Sequence, residues 1–278
     1  MDNVARTQEI EKSIMKQFRR RLWTPFIQGV KKYKLIEEGD KIAVCISGGK
    51  DSSLCAKLLQ ELHRHSEIAF ELEFLIMDPG YNPENRQRIE ENLEILRIPA
   101  KIFDTDIFDT VAKIERSPCY LCARMRRGYL YKNAKDLGCN KIALGHHFND
   151  VIETTLMGML YGAQIQTMMP KLHSTNFEGM ELIRPLYMVH EEDIIAWRDR
   201  HELKFLRCAC RFTENCVLGD YEEGGSKRQE MKLLIRKLKK DNPHIDTNIF
   251  NSIHNVNLDT LPGFIKNKER HSFLETYE

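Results

Sequence analysis

A chain of 278 residues, 42% hydrophobic and 30% charged, is long enough for one large α/β core with extensions and is too apolar to be disordered. No run approaches 18 apolar residues, which excludes a hydrophobic membrane-spanning helix and any membrane partner built on one. The first residues show no charged-then-apolar leader, so the expected compartment is the cytoplasm.

The net charge of +1 hides a segregation. Residues 16–34 carry seven basic side chains and no acid, among them Arg19, Arg20 and Arg21. Residues 227–240 carry seven more against Glu230 alone, with Lys232, Arg236 and Lys240 at i, i+4 and i+8 on one helical face. Such runs are usually solvated surface, but two of them flanking a core suit a polyanion such as RNA. The expected organisation is a basic helical extension over 1–38, a nucleotide-binding domain over 39–216, and a linker with a basic helical extension over 217–278.

In chain order, the first core strand is Lys41–Ile46 and its helix starts near Ser53. Glu71–Met77 is the second strand, stopped by Asp78-Pro79-Gly80. A helix follows from Pro83 to Leu96, then a short strand at Lys101–Asp104. Ala123–Leu137 reads as a helix ending at Gly138, Lys141–Gly145 as a fourth strand, and Asn149–Tyr161 as the next helix. Leu182–Leu186 reads as a fifth strand, at a sheet edge because of Pro185. Glu191–His201 is a further helix. This alternation predicts an α/β fold: a parallel sheet of about five strands with helices on both faces. Ligands of such sheets bind beyond the carboxyl ends of the strands.

Between the first strand and its helix lies Ser47-Gly48-Gly49-Lys50-Asp51-Ser52. Two glycines allow a sharp turn and a close approach to an anion, and the N–H groups of the following helix then face that anion. Lys50 adds a cation. A carboxylate at Asp51 beside phosphates calls for a divalent metal between them, so the loop points to a Mg²⁺–nucleotide. A plain Gly-Gly turn with a solvated Lys-Asp pair is the bland alternative, and six residues set between a strand and a helix disfavour it. The spacing is not that of a Walker A loop. It resembles the signature of the PP-loop ATP pyrophosphatases, which adenylate a substrate oxygen.

The eight cysteines divide by context. Cys45 and Cys55 occupy apolar positions and read as buried small hydrophobes, while Cys139 has no evident partner. Cys119 and Cys122 form a C-x-x-C pair, and Cys208, Cys210 and Cys216 cluster later. In a reducing compartment these suggest a metal site, with zinc, an iron–sulfur cluster and a redox pair all open from spacing alone.

The motifs Ile36–Ile42 with Ser47–Ser52, Pro118-Cys119-Tyr120-Leu121-Cys122 through Gly128, Ala143–His147 and Ile249–Val256 together resemble the tRNA 2-thiocytidine synthetase (tRNA-cytidine sulfurtransferase) family, from about Arg19 to Val256. That resemblance implies ATP, Mg²⁺ and a [4Fe–4S] cluster as cofactors. It implies thiolation at C2 of a tRNA pyrimidine, an anticodon-loop cytidine, through an adenylated oxygen. It assigns the cluster to Cys119, Cys122 and Cys208, leaving one iron open for sulfide. ATP is expected on Ser47, Gly48, Gly49, Lys50, Asp51, Ser52, Met77 and Gly145, with Asp51 and Lys50 catalytic. RNA is expected on Arg19, Arg20, Arg21, Arg124 and Arg127, and Tyr81, Tyr120 and Phe148 are candidate stacking surfaces. The implied partners are tRNA, sulfide or a cysteine-desulfurase-type sulfur-delivery protein, and a second copy in a homodimer. Two departures stand out: Asn149 replaces the first aspartate of the family's His-His-x-Asp-Asp, and Arg207-Cys208-Ala209-Cys210 replaces its Pro-Cys-x-x-Cys, which leaves Cys210 open as a third or fourth ligand. The competing reading is a PP-loop ligase or amidase for a small molecule, with a structural zinc in place of the cluster.

Overall fold

The computed structural model describes residues 3–111, 118–206 and 226–277, with backbone alone at 3, 109 and 118–120. Two compact units result, one formed by 1–150 and 169–224 and the other by 151–168 and 225–278.

The first unit opens with α1 (Asn3–Met15), a π-helical turn (Arg19–Trp23) and α2 (Thr24–Lys32). Then β1 (Lys41–Ile46), α3 (Lys50–His65), β2 (Glu71–Asp78), α4 (Pro83–Leu96), β3 (Ala100–Asp104), α5 (Ile107–Val111), α6 (Pro118–Asp136) and β4 (Lys141–Ala143) alternate. After α7 (Phe148–Gly162), whose first turn belongs to this unit, come β5 (Lys171–His173), β6 (Glu181–Ile183) and α8 (Glu191–Arg200). The sheet order is β3-β2-β1-β4-β6-β5. Every pairing is parallel except that of β5 with β6.

Side chains alternate across this sheet, so each strand feeds two cores. Ile42, Val44 and Ile46 join Phe74, Ile76 and Ile183 in packing with Leu54, Leu58 and Leu59 of α3. Ala43 and Cys45 face the other way with Leu75, Ile142 and Leu182, against Tyr131 and Ala134 of α6. Both faces are therefore buried, which is why the strands read as continuous apolar runs.

Two expectations need correction. The fifth strand is not an edge: β6 lies between β4 and β5. Pro185 falls two residues past its end, where no ladder N–H is needed. The edge is β5, three residues long and thus too short for a readable alternation. Likewise α6 starts at Pro118, not Ala123, so the C-x-x-C pair lies in the first helical turn rather than before it.

The second unit holds the rest of α7, α9 (Lys227–Asp241), α10 (Ile245–Ser252) and a hairpin of β7 (Gly263–Lys266) and β8 (Glu269–Ser272). Met231 and Ile235 of α9 and Phe250 of α10 are buried. The hairpin departs from the helical expectation for this segment. Its turn residues Asn267 and Lys268 both have positive φ (52° and 72°), the geometry of a type I′ turn without the usual glycine that would announce it. No described helix is long and apolar enough to cross a membrane.

Candidate active site

In the sheet order, β1 is followed on one side by β2 and on the other by β4, so the crevice between their carboxyl ends is the topological switch point. The loop after β1 sits there. Gly48 has φ +81°, and a Cβ on it would lie 2.8 Å from Ile89 Cγ1 and 3.1 Å from Leu206 Cδ1, so only glycine fits. Leu206 N–H donates to Gly48 O at 3.2 Å. Ser52 Oγ closes the loop: it accepts from Ser47 N–H (3.0 Å) and donates to Gly49 O (3.1 Å). Gly49 is the N-cap of α3 and no side chain caps that end, which leaves the first-turn N–H groups to an anion.

Gly145 follows β4 directly opposite. A Cβ there would lie 2.8 Å from both Ser52 Cα and Ser52 N. Its glycine is thus explained by close backbone approach to the start of α3. Met77 is buried, and the β1–β2 register ends at Ile46↔Ile76, so the β1-side backbone edge of Met77 lies beyond the ladder. The next residue, Asp78, shapes the turn by accepting from Gly80 N–H, Tyr81 N–H and Arg86 Nη1 at 2.8, 2.7 and 2.6 Å.

Lys50 Nζ donates to Asp51 Oδ2 (3.0 Å) and to Glu191 Oε1 (3.2 Å). Burial works against its charge, yet the two carboxylates outweigh burial and hold the ammonium above the ordinary lysine range. Asp51 Oδ1 is buried and accepts no hydrogen bond, with His147 Nε2 3.8 Å away. His147 is itself buried, and its backbone N–H donates to Asp150 Oδ2 at 3.0 Å. Asn149 Oδ1 accepts from the Glu191 N–H at 2.9 Å and so ties down the start of α8, whose own N-cap, His190, makes no side-chain bond. The departure seen in sequence therefore serves as a helix cap.

Of these, Lys50, Asp51 and Glu191 open onto a cavity of about 810 Å³. Lys50, Arg88, Arg126, Arg198 and Lys204 line it against Asp51, Glu191 and Asp199, an excess of cations suited to a phosphate-rich ligand. Glu191, Arg88, Arg198 and Lys204 escaped the sequence reading. The run Glu191-Glu192-Asp193 is what any helix start looks like, and the basic residues lie on three separate segments. Arg126, not Arg124 or Arg127, reaches the cavity; the latter two are exposed. Arg19, Arg20 and Arg21 are exposed on the π turn, with Arg21 paired to Asp193. Tyr81 and Phe148 are buried, edge-on to Phe108 and stacked on His190 respectively, so they are core and not stacking platforms.

Burial raises the thiols of Cys45 (to about 12), Cys139 (to about 11) and Cys55, which makes all three inert packing residues. Cys119 and Cys122 sit three apart in the first turn of α6, Cys122 buried and one turn ahead of Arg126. Cys208, Cys210, Cys216 and the side chains of Cys119 and Tyr120 lie outside the described residues. The chain before Cys208 is nonetheless anchored at Leu206, on the loop itself.

A PP-loop domain family matches residues 14–210. A tRNA-cytidine(32) 2-sulfurtransferase of Alkalilimnicola ehrlichii is 34% identical over 251 residues, 88% of this chain and 74% of that protein. One from Syntrophotalea carbinolica is 36% identical, covering 81% and 84%. One from Neisseria meningitidis is 40% identical, covering 70% of this chain and 63% of that protein. The solved U34-tRNA thiolase NcsA of Methanococcus maripaludis, with its [4Fe–4S] cluster, shares the fold at a TM-score of 0.63 and 21% identity over 83% of this chain and 76% of that one. The nucleotide loop at the switch point and these likenesses have one conclusion: the chain belongs to the tRNA-cytidine sulfurtransferase family of PP-loop enzymes.

Proposed function

We propose that this protein is an ATP-dependent tRNA thiolase that adenylates the C2 oxygen of a tRNA cytidine, at position 32 as in its relatives' names, and replaces it with sulfur. The observation that carries the reading is the meeting, in one cavity, of an uncapped helix N-terminus, Lys50 and a buried Asp51 oxygen that accepts nothing.

ATP lies over residues 47–52, its phosphates on the N–H groups of Gly48 to Ser52 and its adenine against the backbone edge of Met77, beside Gly145. Asp51 Oδ1 is a hard, acceptor-only ligand, so a Mg²⁺ fits there; when bound it would neutralise phosphate charge. The C2 oxygen attacks the α-phosphorus, the α–β bridge breaks, and pyrophosphate departs. Lys50 stabilises the charge that gathers on that leaving group. Adenylation turns a poor leaving oxygen into AMP, which is released when sulfur takes its place at C2.

Cys119, Cys122 and Cys208 would hold a [4Fe–4S] cluster, which when bound supplies an open iron for exchangeable sulfide. The sequence positions support this donor set: Cys119 and Cys122 share one turn of α6, and Cys208 follows two residues after the loop-bound Leu206. Sulfide or a cysteine-desulfurase-type protein supplies the sulfur. tRNA lies on exposed Arg19, Arg20, Arg21, Arg124 and Arg127, and on α9, where Arg236, Lys237 and Lys240 project from the side opposite buried Met231 and Ile235. A cytoplasmic homodimer is the expected form, and exposed Ile265, Phe273, Leu274 and Tyr277 offer apolar surface for it.

Anaerobic purification with iron and sulfide analysis tests this. About four irons per chain are expected for wild type, lost in Cys208→Ala and kept in Cys210→Ala, with AMP and pyrophosphate released only when tRNA is present. One tightly held zinc from an iron-replete preparation would instead favour a small-molecule ligase.

A further inference from the structure

Lys50 does not stand open at the loop. Its ammonium is shared between Asp51 Oδ2 at 3.0 Å and Glu191 Oε1 at 3.2 Å, with the Lys50 and Glu191 side chains only 18% and 14% exposed. The two carboxylates differ in what else they do. Asp51 has a second, buried oxygen that accepts no hydrogen bond, the atom a divalent cation would claim. Once a cation draws on Asp51, that carboxylate has less charge to give Lys50, and Glu191 becomes its main anchor. Building on the ATP reading above, we infer that Glu191 is a positioning residue for adenylation: it fixes Lys50 Nζ over the loop and acts on the nucleotide only through Lys50.

Glu191 is placed for this by elements, not by chance of rotamer. It is the first residue of α8, where the helix dipole favours a carboxylate. Its N–H is held by Asn149 Oδ1 at 2.9 Å, in the first turn of α7. The adjoining turn is locked by the Phe148 N–H on Val189 O (3.0 Å) and by His190 stacked on Phe148 at 4.1 Å between ring centroids. The first turns of α3, α7 and α8 thus converge on one ion pair. A lysine has a flexible four-carbon stem and loses considerable rotamer entropy when it is held at one point. Holding it before ATP arrives removes that cost from the step in which pyrophosphate departs. A carboxylate near phosphates otherwise weakens nucleotide binding by repulsion, so its presence in a cation-lined cavity calls for such a return.

The test compares wild type with Glu191→Gln, Glu191→Asp, Lys50→Met and the Lys50→Met/Glu191→Gln double variant. The readouts are the single-turnover rate of pyrophosphate release with tRNA and, separately, the Kd for MgATP. Glu191→Gln is expected to slow release by about ten- to a hundredfold while the Kd moves by less than about threefold. Glu191→Asp keeps the charge but draws it back by one methylene, and is expected to be slow too. In the Lys50→Met background the Glu191→Gln change is expected to cost less than about twofold, because the two side chains act as a unit. Losses that multiply in the double variant would overturn the inference, as would a wild-type rate in Glu191→Gln or a full rescue by Glu191→Asp. Failure of the wild type to bind MgATP or release pyrophosphate would instead overturn the ATP reading itself.

Discussion

Glycine is required at Gly145 by contact and not by backbone angle. A Cβ at Gly145 would sit 2.8 Å from the backbone of Ser52, and backbone cannot rotate aside as a side-chain tip does. Gly145→Ala is therefore expected to cost about 1–3 kcal/mol of stability, as overpacking does. Because the displaced backbone is the first turn of α3, MgATP affinity should fall with it; calorimetry and nucleotide titration on one preparation check both. Lys50 and Asp51 stand out in the sequence because a lysine and an aspartate directly after a glycine pair form a local pattern. Glu191 does not, since nothing in a run of acids at a helix start distinguishes the one residue that meets Lys50 across 141 positions. Arg126 shows the same limit on a smaller scale: sequence offers three arginines at the start of α6, and only the direction of each around the helix decides which one lines the cavity.

At the scale of elements, α1 is held to α3 by a part-buried charge pair. Lys57 of α3 is fully buried, and its Nζ donates to Glu11 Oε1 at 2.5 Å and to Leu96 O at 3.0 Å. Burial pushes the Glu11 carboxyl up, but Lys57 and Arg64 outweigh it and hold the group below its ordinary 4.5. A carboxylate with a depressed folded-state pKa contributes stability above its unfolded pKa and loses it as pH falls through the folded value. Glu11→Gln should thus lower stability by about 1–3 kcal/mol at pH 7. Denaturant melts should bring variant and wild type together as pH falls through the depressed folded-state value and the carboxylate protonates. The sequence shows that 1–38 is helical and basic, but not that one of its few acids anchors it to the nucleotide-loop helix. The short strand β5 and the β7–β8 hairpin escaped reading for a related reason: three or four residues, and a turn without glycine, carry no periodic signal.

For the molecule as a whole, the charge segregation is the property that bears on tRNA. Along α9 the cations divide: Lys227 pairs with Glu230, Arg228 with Glu153 and Lys239 with Asp246, while Arg236, Lys237 and Lys240 are exposed. Replacing those three with glutamine should weaken tRNA binding and reduce the slope of log Kd against log salt by about 2 to 3, since each phosphate contact contributes roughly 0.7–0.9. Fluorescence titration between low and physiological salt reads this directly, and an unchanged slope would remove α9 from the RNA surface. The sequence by itself determined the α/β class, the PP-loop with its Lys50 and Asp51, and the C-x-x-C pair, because these depend on neighbours in the chain and on the period of apolar residues. Tertiary structure alone decided that Gly145 must let α3 approach, that Asn149 caps α8, and that Glu191 reaches Lys50. Those contacts join residues up to 141 positions apart, and their partners are set by how the helix first turns converge at the sheet's switch point, which no local pattern encodes.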